Sequence, residues 1–95
     1  MLLRYAELVF SVHCFYDQPV PPSYRIYVDD DPITERTFVW NPTTDYIEEH
    51  VAVNARPGPH TLRVENITPK LGTFVVENLR VDGLPSDSNS VFNIT

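Results

Sequence analysis

The chain has 95 residues, 42% hydrophobic and 21% charged, with 13 Asp plus Glu against 7 Lys plus Arg for a net charge of −6. That length is one domain's worth, with apolar material for a single core. The acidic balance argues against nucleic-acid binding, which needs basic surface to replace counterions on phosphate, and against docking on an anionic membrane.

Nine prolines beside three glycines leave no room for long uninterrupted helices. Cys14 is the only cysteine, so no intramolecular disulfide can form. It lies in an apolar run, where a thiol behaves as a small core side chain. Glu7 interrupts the early apolar stretch, and no window approaches the ~20 apolar residues of a membrane span. These features lead to the expectation of a soluble protein made in a reducing cytoplasm. The sequons at Asn66 and Asn93 then carry no weight.

Taken in chain order, the hydrophobic period is two almost throughout. Ala6, Leu8, Phe10, Val12, Cys14 and Tyr16 alternate with a set that includes Glu7, Ser11 and His13, which predicts a long half-buried strand. Pro19, Pro21 and Pro22 make a loop of 17–23. Tyr24, Ile26 and Val28 alternate with Arg25, Tyr27 and Asp29 in a second strand. Asp30-Asp31-Pro32 supplies turn chemistry. Ile33 to Trp40 is the third strand, with Phe38 and Trp40 on one face, so strands two and three read as a hairpin.

After the break at Asn41-Pro42, Tyr46 to Asn54 carries Ile47, Val51 and Val53 on one side and Tyr46, Glu48 and His50 on the other. Glu49 falls on the apolar side, which the pattern explains by a wet strand end. Pro57-Gly58 has the composition of a type II turn, and His60 to Glu65 follows with Leu62 and Val64 inward. Together they predict a second hairpin. From Thr73 to Asp82, Phe74 and Val76 share one parity and Leu79 and Val81 the other. A bulge near Glu77-Asn78 returns both pairs to the core. Val91 to Ile94 adds a short final strand. Residues 1–95 thus read as a single all-β domain, an antiparallel β-sandwich of six to eight strands.

Candidate chemistry is sparse. The run Asp29, Asp30, Asp31 offers oxygen ligands of the kind calcium takes, with Asp17, Glu77 or Asp82 as partners across the fold. Three Asp before a Pro are read more economically as a solvated turn, and calcium is the only cofactor the sequence brings up. Glu48 and His50 share a strand face and can pair with each other, or with Arg25 or Arg36 across strands. Gly-rich phosphate loops, nucleophile elbows and metal-binding Cys clusters are absent from the sequence, so a non-enzymatic protein is expected. The aromatic surplus is more informative. Tyr27 and Tyr46 sit on the polar parity of their strands, and with Trp40 they are candidates for a binding face of large, rigid contact area.

The segments Tyr24–Asp29, Pro57–Val64 and Asn78-Leu79-Arg80-Val81-Asp82-Gly83 are similar to small jelly-roll carbohydrate-binding modules, especially calcium-dependent xylan binders. Ile33 to Phe38 through Tyr46 to His50 resembles short proteins of tailed bacteriophages, cyanophages in particular. The first likeness implies a jelly-roll-like sandwich and the second a virion accessory role. The function expected on these grounds is a capsid decoration protein, or another head, tail or fibre accessory. It would be made in the host cytoplasm, carried on the virion and bound to capsid or tail subunits, with self-association open. The alternative is a module recognising host glycan, with Tyr27, Trp40 and Tyr46 stacking on sugar rings and Asp29, Asp30 and Asp31 holding hydroxyls or calcium.

Overall fold

In the computed structural model, residues 3–15, 20–38 and 46–95 are described. Eight strands run in chain order: β1 (Arg4–Phe15), β2 (Ser23–Val28), β3 (Asp31–Thr37), β4 (Tyr46–Ala55), β5 (Gly58–Asn66), β6 (Thr73–Val81), β7 (Leu84–Pro85) and β8 (Val91–Ile94). They form two four-stranded sheets, β4-β1-β6-β7 and β3-β2-β5-β8, in which every pairing is antiparallel. The expected all-β sandwich is the fold.

The core is the set of alternate positions the period requires. Ala6, Leu8, Phe10 and Val12 of β1 face Tyr24, Ile26 and Val28 of β2 across the sandwich. Val51 and Val53, Leu62, Leu79, Phe92 and Ile94 complete it. Each fully buried side chain of this size stabilises by roughly 1.5–3 kcal/mol relative to exposure, and the central strands β1 and β2 carry most of them. Phe38, just beyond β3, is buried as its pattern required. Trp40 and Tyr16 lie outside the described residues.

The parity switch in β6 has the predicted cause. Ser11 pairs with Glu77 while Val9 pairs with Arg80, so β6 carries one residue more than β1 between these pairs. Asn78 takes the left-handed conformation there, φ 59°, which Asn tolerates better than most residues. Leu79 is thereby returned to the core at 1% exposure.

Two turns differ from the sequence expectation. The β2–β3 turn is Asp29-Asp30, with φ of 52° and 67°, a two-residue turn of the twist hairpins favour. It sits one residue earlier than Asp30-Asp31-Pro32, and Pro32 enters an edge strand, where a missing N–H is tolerated. The Asp82-Gly83 turn, φ 51° and 83°, makes a short β6–β7 hairpin that the polar composition of 83–90 conceals.

The predicted second hairpin is corrected. β4 pairs with β1 and β5 with β2 and β8, so Pro57-Gly58 carries the chain from one sheet to the other. Gly58, φ 123°, supplies the reversal. Turn chemistry reverses a chain whether or not its two arms pair. Here the arms pair with β1 and with β2 and β8 instead of with each other.

Candidate functional site

Glu49 is the first polar group the fold explains. It points inward from β4 with 2% exposure, yet it is not at a wet strand end. Arg36, at the far end of β3, reaches it with two hydrogen bonds, Nε to Oε2 at 2.5 Å and Nη2 to Oε1 at 2.8 Å. The Tyr24 hydroxyl donates to Oε2 as well. Burial pushes the Tyr24 hydroxyl pKa up, and the Glu49 carboxylate adds to it; the same carboxylate raises Arg36 further. One carboxylate thus joins β4 of one sheet to β2 and β3 of the other. Arg36 therefore pairs with Glu49, not with Glu48 or His50 as the shared-face reading allowed. Arg25 faces away on the other sheet, and Glu48 pairs with His50 at 3.5 Å and with Arg80 at 3.3 Å.

Asp29 is likewise committed. Its carboxylate accepts from the Thr61 amide at 2.9 Å and pairs with His60 Nδ1, while His60 Nε2 lies 2.6 Å from the Arg56 carbonyl. An imidazole can donate to both of these acceptors only in its protonated form. The Asp29 hydrogen bond, followed by the Arg56 carbonyl, raises the His60 pKa. Burial alone raises Asp29, but hydrogen bonds from His60 and Thr61 outweigh it and hold the carboxyl below its usual value. The ring also stacks on Phe92, centroids 5.7 Å apart. Asp30 is 3.9 Å from Arg63, and among the described residues no group of three or more His, Cys, Asp or Glu converges as metal ligands do. Asp29 and Asp30 form the turn and Asp31 opens β3. Asp17 lies outside the described residues.

Tyr27 and Tyr46, two of the three aromatics expected on one face, are not brought together. Tyr27 is on the outer face of β2, half-buried, with the Arg63 guanidinium 4.0 Å from its ring centroid. Its hydroxyl accepts from Arg25 at 3.1 Å and donates to Glu65 at 3.3 Å. Arg25 in turn donates to Glu35 at 2.6 Å and Arg63 to Glu65 at 3.2 Å. This face has paired its charges and covered its ring. Tyr46 is on the outer face of β4, in the opposite sheet, and Trp40 is outside the described residues.

The outer face around Tyr46 is different. Register places Tyr46, His13 and Val75 side by side on β4, β1 and β6, with Phe15 two residues farther along β1. Tyr46 and His13 rings lie 5.1 Å apart. Phe15 is 61% exposed, Tyr46 47% and Val75 43%. The outer edge of β4 pairs with no other described strand over ten residues, so among the described residues its outward backbone groups have no ladder partner. The sequence pattern marked Tyr46 but not Phe15 or Val75. Their signal was present, since both are apolar residues on the polar parity of their strands.

Beside this row the bulged β6 opens a groove of about 530 Å³, lined by Ser11, Tyr46, Glu48, Asn78, Arg80 and Asn89. Cys14 takes no part in either feature. It packs against the core, and burial pushes its thiol up to about 11, which leaves little thiolate at neutral pH. No protein-family model matches the chain, and neither does any curated protein or solved structure.

Proposed function

We propose that the protein is a non-catalytic accessory protein of a bacteriophage particle, most concretely a capsid decoration protein, which docks through the outer face of the β4-β1-β6-β7 sheet. The observation that carries the binding part is the exposed row of Phe15, Val75, His13 and Tyr46 beside the free β4 edge. Contiguous apolar surface next to unpaired strand backbone is what a protein partner covers. The resemblance of the 33–50 region to short tailed-phage proteins, the small all-β plan and the net charge of −6 support the particle assignment. An acidic outer surface keeps particles soluble and apart. A glycan-stacking face built from Tyr27, Trp40 and Tyr46 together draws no support, because Tyr27 and Tyr46 lie on opposite outer faces.

Mass spectrometry of purified virions tests the assignment. The chain is expected among the particle proteins in a fixed ratio to the major subunit, and its absence would sink the reading.

A further inference from the structure

The groove beside Tyr46 holds two polar groups that the fold leaves unsatisfied. Ser11 is only 7% exposed, although it belongs to the outer parity of β1. Among the described residues its hydroxyl has no hydrogen-bond partner. Arg80 Nε is buried and unpaired, although the Nη2 end of the same guanidinium reaches Glu48 at 3.3 Å. Both residues line the groove. Of the two, Arg80 Nε is closed off from solvent and the Ser11 hydroxyl is not, so the hydroxyl is the unpaired group open to a ligand.

The architecture that creates this depression is the Asn78 bulge. The extra residue bends β6 away from β1 just where Ser11 sits, between the Val9–Arg80 and Ser11–Glu77 pairs. The segment after β7 then folds against the bulge. Asn89 accepts from the Leu79 amide through its side-chain oxygen at 3.1 Å, and the Ser86 amide donates to the Leu79 carbonyl at 2.8 Å. The Asn78 side chain has no partner among the described residues, and Asn78 stands at the rim with Asn89. The Tyr46 ring makes the opposite wall.

The chemistry of the lining selects a class of ligand. Among the described residues Arg80 is the only cation lining the groove and is already engaged by Glu48, while Asp87 adds a second carboxylate. An anion such as phosphate would meet two negative charges for one shared positive one. A divalent cation would need three converging ligands, which are not found among the described residues. What remains is a neutral group rich in hydroxyls, able to give and take hydrogen bonds with Ser, Asn and carboxylate oxygens while laying an apolar face on an aromatic ring. We infer that the groove between Tyr46 and the Asn78 bulge binds a neutral sugar ring, with Ser11 Oγ at its floor and the Asn78 and Asn89 amides at its rim.

The site is independent of the particle-docking reading and can be tested on the isolated chain. Tyr46 borders both the groove and the apolar row, so it is not used to tell them apart. The experiment is amide chemical-shift mapping of the full chain with methyl α-glucoside, methyl β-galactoside and N-acetylglucosamine, and with sodium phosphate as the anion control. At least one sugar is expected to shift amides at Ser11, Asn78 to Arg80 and Ser86 to Asn89. Ser11→Ala and Asn78→Gly should each weaken that sugar about 2- to 10-fold, the range one hydrogen bond spans. Glycine keeps the positive φ at 78, so the bulge persists, and the unperturbed spectrum of each variant reports its fold. Three results would overturn the inference: no groove shifts with any sugar, shifts produced by phosphate instead, or full affinity in both variants.

Discussion

The two outer faces of this sandwich differ in how they cover their aromatic rings, although both expose apolar side chains, Ile33 and Val91 on one and Phe15 and Val75 on the other. On the β3-β2-β5-β8 face, Arg25, Glu35, Glu65, Arg63 and Tyr27 form a closed ladder in which each charge has an opposite charge and the one aromatic ring is covered. On the β4-β1-β6-β7 face, Phe15, Val75 and Tyr46 stand open to water, and the Ser11 hydroxyl and Arg80 Nε are unpaired among the described residues. A face that satisfies its own groups gains little from a partner. A face that leaves apolar area and hydrogen-bonding groups open gains free energy from both when it is covered. On the proposed reading, this difference is the reason for placing the docking surface on the β4-β1-β6-β7 side.

The largest effect should come from the clamp that holds the two faces in place. Glu49→Ala removes the acceptor shared by Arg36 and Tyr24 and leaves the Tyr24 hydroxyl buried without it. Urea unfolding should show a loss of about 2–4 kcal/mol. Arg36 is half-exposed and can rehydrate, which keeps the figure below that of a fully buried pair. A loss under about 0.5 kcal/mol would mean that the sheets are held by apolar packing alone.

Next in size is the asymmetry itself. Phe15→Glu or Val75→Glu should lower occupancy on purified particles at least about tenfold, since each places a charge in the centre of the proposed contact. Both positions are exposed, so the isolated variants should unfold near the wild-type midpoint. Conversely, Tyr27→Ala on the other face should leave occupancy within about twofold while costing stability. The cation–π contact with Arg63 accounts for about 0.5–1 kcal/mol of that cost. If Tyr27→Ala displaces the protein and Phe15→Glu does not, the two faces have been assigned the wrong way round.

The smallest effect is a pH dependence at the Asp29–His60 pair. The folded His60 pKa is raised above 6.5, so its contribution is fully present below that pH and is lost as pH rises through the folded value. Asp29 is lowered from 3.8, so its contribution is present above that pH and is lost as pH falls through the folded value. The melting temperature should therefore decline as pH rises above about 6.5, and His60→Gln should flatten that decline. An unchanged slope in the variant would remove His60 from the account.

Much of the fold was legible because burial imposes a strict period on a short strand. Ala6 to Cys14, Tyr24 to Val28 and Phe92 with Ile94 mark their inner faces unaided. The β6 bulge was legible for the same reason, as the parity conflict between Val76 and Leu79 has few other solutions. Pairing across the chain was not. Pro57-Gly58 looks like a hairpin turn from either side, and only β1 and β2, far away in sequence, decide that its arms join different sheets. Glu49 was misread in a similar way. An acid on an apolar parity looks like a strand end until Arg36 and Tyr24 arrive from the opposite sheet. Of the site, Tyr46 was visible as an aromatic on the polar parity. Ser11 was placed on the correct face, but its burial depends on the bulged strand and the 86–89 segment folding over it. No local pattern encodes that.

The claim that binding resides on the β4-β1-β6-β7 face is tested most directly by hydrogen exchange, comparing the chain on purified particles with the free chain. The account predicts slowed exchange for the outward-facing amides of the free β4 edge, Tyr46 to Ala55, and for the open side of β6 from Thr73 to Glu77. Little change is expected in β2, β5 and β8. Protection concentrated on β3, β2 and β5, with β4 exchanging as it does in the free chain, would contradict it.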